Sequence, residues 1–214
     1  MVTLPPVEDS LKNAIVLSFN SLFLFSNCKT ENAKENASNL LLGTIRVVGS
    51  RHSFSQIANT NDTLVSLVQM SRVVSYNSSV PSISIQAGLT YSDLVTLLDS
   101  HGFALPNLAA LSGITIAGGA ATGAHGSGVN NTNLAGPIIG MTVVLANGSI
   151  ARWTRAEQPE LMRAAAVSLG AFGVVTELTL KLEPAYKMET NVFQRLDVNF
   201  EFVNLSQVYL WLPS

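Results

Sequence analysis

The 214-residue chain predicts an α+β fold, and three observations predict it. Short β-branched runs end on glycine, two segments carry helix-capping signatures, and an Asn-Gly pair joins two apolar runs as in a hairpin. Strands and helices are therefore mixed without the strict alternation of a doubly wound sheet. Composition agrees: 47% of residues are apolar and 12% charged, which excludes intrinsic disorder and coiled-coil architecture.

Ordered structure is expected from Ile45 to Val48, a strand that stops at Gly49. Leu64 to Val68 gives a second strand, and Ile83 to Ala87 a third that ends at Gly88. Thr90 followed by Asp93 matches a capping box; Leu94, Val95, Leu97 and Leu98 supply one apolar helical face, and Gly102 ends the helix. Met141 to Leu145 and Ser149 to Trp153 form a hairpin through Asn147-Gly148, with a type I′ turn expected because that turn needs positive φ at both central residues. Thr154 with Glu157 is a second capping box, Pro159 suits a first turn, and an alanine-rich helix over Leu161 to Leu169 ends near Gly170. Val174 to Leu182 alternates apolar and polar residues as a half-buried strand does. Beyond Pro184 the last 30 residues contain strand-like runs without an evident partner, and the apolar cluster Tyr209 to Leu212 reads as a surface for another chain.

Several function classes are excluded by inventory. A net charge of -2 with 12 dispersed basic residues does not fit nucleic acid. Cys28 is the only cysteine, and His52, His101 and His125 lie 49 and 24 residues apart, so no metal site is expected. The apolar run Ala14 to Phe25 is too short to span a bilayer, and Glu8 and Asp9 precede it where a signal peptide would carry basic residues. A cytoplasmic location is favoured on that ground. Neither GxxxxGK[ST] nor GxGxxG is present, and no GxSxG elbow marks a hydrolase.

Chemistry concentrates in two loops. Six of the fifteen glycines fall between Gly113 and Gly128, in GITIAGGAATGAHGSG. Such a run lets backbone N–H groups converge and a ligand approach the main chain, so it suits an oxyanion or phosphate, with Thr122 and Ser127 as added donors. From Ser100 to Ala156 there is no Asp or Glu to repel that anion, and Lys is absent from Glu35 to Leu180. A run of close-packed structural turns is the alternative reading of the glycines. The second loop, Gly49-Ser50-Arg51-His52-Ser53-Phe54, follows a strand and brings hydroxyls, a guanidinium and an imidazole into six residues.

Together the two loops resemble a known family. VVGSRHSF, then LPNLAALSGITIAGGAATGAHGSG, the Asn-Gly hairpin, SLGAFGVVTELTLKLEP and a strand beginning METNVF are similar to the FAD-binding, PCMH-type domain of the vanillyl-alcohol-oxidase-type flavoproteins. The resemblance runs over about residues 44 to 198 and is strongest toward the alditol (xylitol) oxidases and the sugar-1,4-lactone oxidases, D-arabinono-1,4-lactone oxidase among them. It implies a two-subdomain FAD-binding fold, with a partial first element at 1–16, an atypical insertion or linker at 17–43, the FAD-binding domain at 44–186, and the start of a truncated substrate (cap) domain at 187–214. It further implies FAD as cofactor, joined covalently through His52, with Gly49, Ser50, Arg51 and Ser53 beside it. Thr115, Gly118, Thr122, Gly123, Ala124, His125 and Gly126 would hold the pyrophosphate and flavin, and Gly173, Val174 and Val175 would contact the cofactor through their backbone.

The implied activity is oxidation of an alcohol carbon of a polyol or sugar lactone by hydride transfer to flavin N5, with molecular oxygen as acceptor and hydrogen peroxide as product. Two departures bear on it. Ala110 replaces a serine of the alditol oxidases, with Ser112-Gly113 in place of their Pro-His, and the family's catalytic side chains fall beyond residue 214. The catalytic residues are thus unassigned. A catalytically incomplete flavin-binding fragment and an interaction protein are the competing readings.

Overall fold

The computed structural model describes residues 2–3, 45–128 and 130–188. The expected opening element over 4–16, the insertion at 17–43 and nearly all of the cap-domain start, including Tyr209 to Leu212, lie outside the described residues.

Two sheets make up the framework. In the smaller one β1 (Val2–Thr3) and β2 (Ile45–Val48) both run parallel to β3 (Thr63–Ser66), which lies between them. The larger sheet is antiparallel throughout. It contains β4 (Val73–Asn77) and β5 (Ser82–Gln86), followed later in the chain by β7 (Ile138–Val144), β8 (Ile150–Thr154) and β9 (Val174–Lys181), in the order β4-β5-β9-β7-β8. A short antiparallel pair, β6 (Phe103–Ala104) with β10 (Glu183–Pro184), closes the side near β4.

Three helices cover one face of the large sheet. Leu94 and Leu98 of α1 (Tyr91–Ser100), Ile116 and Ala120 of α2 (Ile116–Ala121), and Met162, Ala165 and Ala166 of α3 (Pro159–Ala166) share a core with Ile83, Ile85, Ile138, Met141, Val143, Leu178 and Leu180 of the strands. The alternation seen in β9 becomes physical here: its even-numbered positions from Val174 to Leu180 are buried and the intervening ones only partly so. The opposite face is polar, with Ser84 paired to Thr179 at 2.9 Å and Thr142 Oγ1 donating to Glu177 at 3.2 Å. A second, smaller core of Val65, Leu67, Met70, Ala87, Val144 and Val174 joins the parallel sheet to the large one. This junction fixes how the loop after β2 meets the beginning of β9.

Thr90 caps α1 as expected, Asp93 N–H donating to Thr90 Oγ1 at 3.2 Å, while the Asp93 carboxylate accepts from the Thr90 hydroxyl at 2.7 Å rather than from its backbone N–H. Three local expectations are corrected. The Asn147-Gly148 hairpin forms, but Gly148 alone has positive φ (82°), and its N–H bonds Leu145 C=O at 2.9 Å. The turn therefore spans Leu145 to Gly148 with Ala146 and Asn147 at its centre, and the glycine follows as a left-handed bulge residue rather than completing a type I′ pair. Glu157 N–H donates to Thr154 Oγ1 and the Thr154 hydroxyl to the Glu157 carboxylate, yet these bonds close a turn before α3, whose N-cap is Gln158. Finally α3 ends at Ala166 and not at Leu169, because Leu169 is left-handed (φ 53°) and its N–H bonds Ala121 C=O at 3.1 Å. Tertiary pairing with the end of α2 wins over local helix propensity there.

Candidate cofactor cleft

The β2 strand delivers its following loop to the first turn of α2. Ser50 Oγ accepts the Thr115 N–H at 3.1 Å, and Thr115 is buried. A Cβ placed on Gly49 would overlap Thr115 Oγ1, and one on Gly118 would lie 2.8 Å from the same atom. Two glycines, one from each loop, thus leave the space that the Thr115 side chain fills. The loops singled out by composition, more than sixty residues apart in sequence, are one structural unit.

They form part of the wall of a cleft of about 1100 Å³. Gly49 to Ser53, Thr115, Gly118, Thr122 and Ala124 all line it, as do Gly173, Val174 and Val175. His52 is exposed there, and a Cβ on Gly113 would sit 3.9 Å from its Nε2, so the ring reaches toward the glycine segment. Gly123, His125 and Gly126 do not line the cleft. Gly123 is left-handed (φ 66°), a Cβ on Gly126 would overlap Leu108 C=O, and His125 Nδ1–H donates to Gly126 C=O at 2.9 Å. Gly126 thus permits close approach of the Asn107–Leu108 segment, Gly123 lies against Val167, and His125 bonds within its own turn. Thr122 Oγ1 donates to Gly118 C=O at 3.1 Å, and Ser53 Oγ to Ser55 C=O at 3.0 Å, so both hydroxyls are engaged with backbone.

Sequence reasoning missed a further part of the wall, Ser168 to Phe172. The available signal was SLGAFG, which ends the helix and opens the segment similar to the family, though only Gly173 to Val175 are expected there to touch the cofactor. Two cleft residues stand out by backbone: Arg51 (φ 64°) and Leu169 (φ 53°) are the non-glycine residues with positive φ among those described. Left-handed backbone at residues with a Cβ is strained, and such strain gathers at functional sites.

The donor chemistry fits a dinucleotide cofactor. Among the described residues the cleft's lining includes Arg46, Arg51 and His52 but no Asp, Glu or Lys, so a pyrophosphate meets no carboxylate from them. Its volume is at the upper end of the range for small-molecule sites. Ala165, Ala166, Leu169, Ala171 and Phe172 give the same cleft an apolar side that suits flat ring systems. Among the described residues no group of three or more His, Cys, Asp or Glu could hold a metal ion, and no helix is long and apolar enough to cross a membrane.

A parallel three-stranded sheet, an antiparallel five-stranded sheet and a carboxylate-free cleft at their junction define a nucleotide-cofactor domain of the two-subdomain, PCMH type. Residues 42–154 match the family described as FAD binding domain, and the chain belongs to that family. It is 34% identical over 149 residues to L-gulonolactone oxidase of Bos taurus, covering 70% of this chain and 34% of that protein. It is 39% identical over 147 residues to alditol oxidase of a Streptomyces species, covering 68% and 35% respectively. The chain thus spans about a third of the length of these relatives. Among solved structures, 6-hydroxy-D-nicotine oxidase from Arthrobacter nicotinovorans superposes with a TM-score of 0.59 at 25% identity, covering 67% of this chain and 32% of that one. Cholesterol oxidase from Brevibacterium sterolicum shares the fold, with a TM-score of 0.61 at 18% identity and coverage of 77% and 35%.

Proposed function

We propose that this chain is the cofactor-carrying part of an FAD-dependent oxidase that oxidises an alcohol carbon of an alditol or a sugar lactone, with FAD attached through His52. Molecular oxygen takes the electrons and leaves as hydrogen peroxide. The observation that carries the reading is His52 itself, an exposed imidazole in a dinucleotide-sized, carboxylate-free cleft, on a loop braced by the Ser50–Thr115 bond. The relatives named alditol oxidase and L-gulonolactone oxidase supply the substrate class.

FAD, when bound, supplies the hydride acceptor; the protein supplies placement and electrostatics. Arg51 would balance pyrophosphate charge, the Gly49–Ser53 loop and Thr115 would fix its position, and the apolar side formed by Leu169 to Phe172 would shield the rings from water. No Asp, Glu or Lys lines the described cleft, so a base for the substrate hydroxyl proton has to come from elsewhere. The same inventory favours the second reading, a flavin-binding chain without turnover of its own.

The test is direct. Denatured wild-type protein is expected to keep yellow fluorescence on a gel, whereas His52→Ala protein binds FAD when folded and releases it on denaturation. Release of free flavin from acid-precipitated wild type would remove the covalent claim.

A further inference from the structure

The structure assigns to Leu169 a role that its backbone opposes: we propose that its side chain is kept in a left-handed conformation in order to pack against a planar ring of the dinucleotide. The inference rests on the cleft being the FAD site. Leu169 is at φ 53° and Gly170, next to it, at φ 80°, so two successive residues turn the chain left-handed. Glycine adopts this conformation freely, while a Cβ pays for it through contact with its own carbonyl. A chain that needed only the turn would use glycine twice.

Among the described residues, neither hydrophobic core accounts for the leucine. Its side chain is not part of either core, and the residue is 50% exposed. The local connection it makes is through backbone, its N–H to Ala121 C=O at 3.1 Å, which any residue but proline would make. The residue lines the cleft in company with Phe172, whose ring is held edge-on against Trp153 at 5.9 Å. Leu169 and Phe172 thus form an apolar ledge in the part of the cleft wall contributed by residues 168–172. A flat heterocycle laid on that ledge would bury the exposed part of Leu169 and recover what the strained backbone costs. The other left-handed non-glycine residue among those described, Arg51, lines the same cleft, so both strained positions belong to one site.

Both ends of FAD are planar rings, so the probes must separate them. In a His52→Ala background, which makes binding reversible, the affinities of FAD, ADP and riboflavin are measured by fluorescence or calorimetric titration with Leu169 intact and with Leu169→Gly. The expected result is FAD binding weakened about tenfold, the size expected for losing burial of part of a leucine. The thermal midpoint without ligand should hold or rise by about 2 °C, because glycine relieves the strain. Loss confined to ADP places the ledge under the adenine, and loss confined to riboflavin places it under the isoalloxazine; either supports the inference. Unchanged FAD affinity, or a lowered midpoint showing that the side chain is structural, overturns it. If His52→Ala protein with Leu169 intact binds no FAD at all, the assignment of the cleft fails and the inference with it, an outcome distinct from the other two.

Discussion

At the scale of single residues, Thr115 is the position on which the cleft depends. Its hydroxyl occupies the space that Gly49 and Gly118 leave open, and its N–H is satisfied by Ser50. Gly49→Ala puts a methyl group onto Thr115 Oγ1 and is expected to cost about 2 kcal/mol or more, as overpacking of a rigid contact does. Thr115→Ala in the same chain removes the overlapped atom, so denaturant unfolding of the two single variants and the double should show partial recovery rather than additivity. Additive losses would mean that the two loops are not coupled through this contact. Tyr91 makes a different prediction. Burial pushes its hydroxyl well above its usual 10.0, so the folded state prefers the neutral phenol. Its contribution is fully present below the unfolded value and is lost as pH rises above it. Partial burial, with Glu183 adding to it, acts in the same direction on Tyr186. Wild-type stability is expected to fall above about pH 10, and Tyr91→Phe should flatten that fall. Equal slopes for the two proteins in alkaline unfolding would contradict it.

At the scale of elements, what was legible in the sequence was local chemistry. The cap at Thr90 and Asp93 needs no tertiary partner; its Asp93 N–H to Thr90 Oγ1 bond is made, and the Thr90 hydroxyl bonds the Asp93 carboxylate. Thr90→Ala should cost about 1 kcal/mol and lower the midpoint by roughly 2–4 °C; a change below half a degree would show that α1 is held by packing alone. The alternation in β9 was equally readable, because burial on one face of a sheet imposes a period of two. Elements decided by partners were not. All five residues of β4 are exposed, so the strand has no one-sided pattern to read; it exists through its pairing with β5. The end of α3 was placed three residues late, since Ala-rich sequence continues a helix well and only the Leu169–Ala121 bond shows why the chain turns away. The Asn147-Gly148 turn failed for a related reason: the dipeptide favours a hairpin, but the register between β7 and β8 selects which turn closes it.

At the scale of the molecule, the candidate site was visible as two compositional anomalies, a glycine run and a strand-terminal Ser-Arg-His-Ser loop. Their union was not, because it depends on the small core that sets the parallel sheet against Val144 and Val174 and so brings β2 to α2. Nor could composition separate glycines that line the cleft, such as Gly118 and Gly173, from Gly123 and Gly126, which pack against Val167 and the Asn107–Leu108 segment. The apolar ledge at 168–172 escaped notice since nothing in Ser-Leu-Gly-Ala-Phe announces a left-handed leucine. A crystal structure of the chain with FAD shows whether the cleft between the two sheets is the cofactor site: the pyrophosphate is expected between the Gly49–Ser53 loop and Thr115, the isoalloxazine at His52 and a ring on the Leu169–Phe172 ledge. FAD bound elsewhere on the surface, or a cleft without FAD at saturating concentration, would contradict that placement.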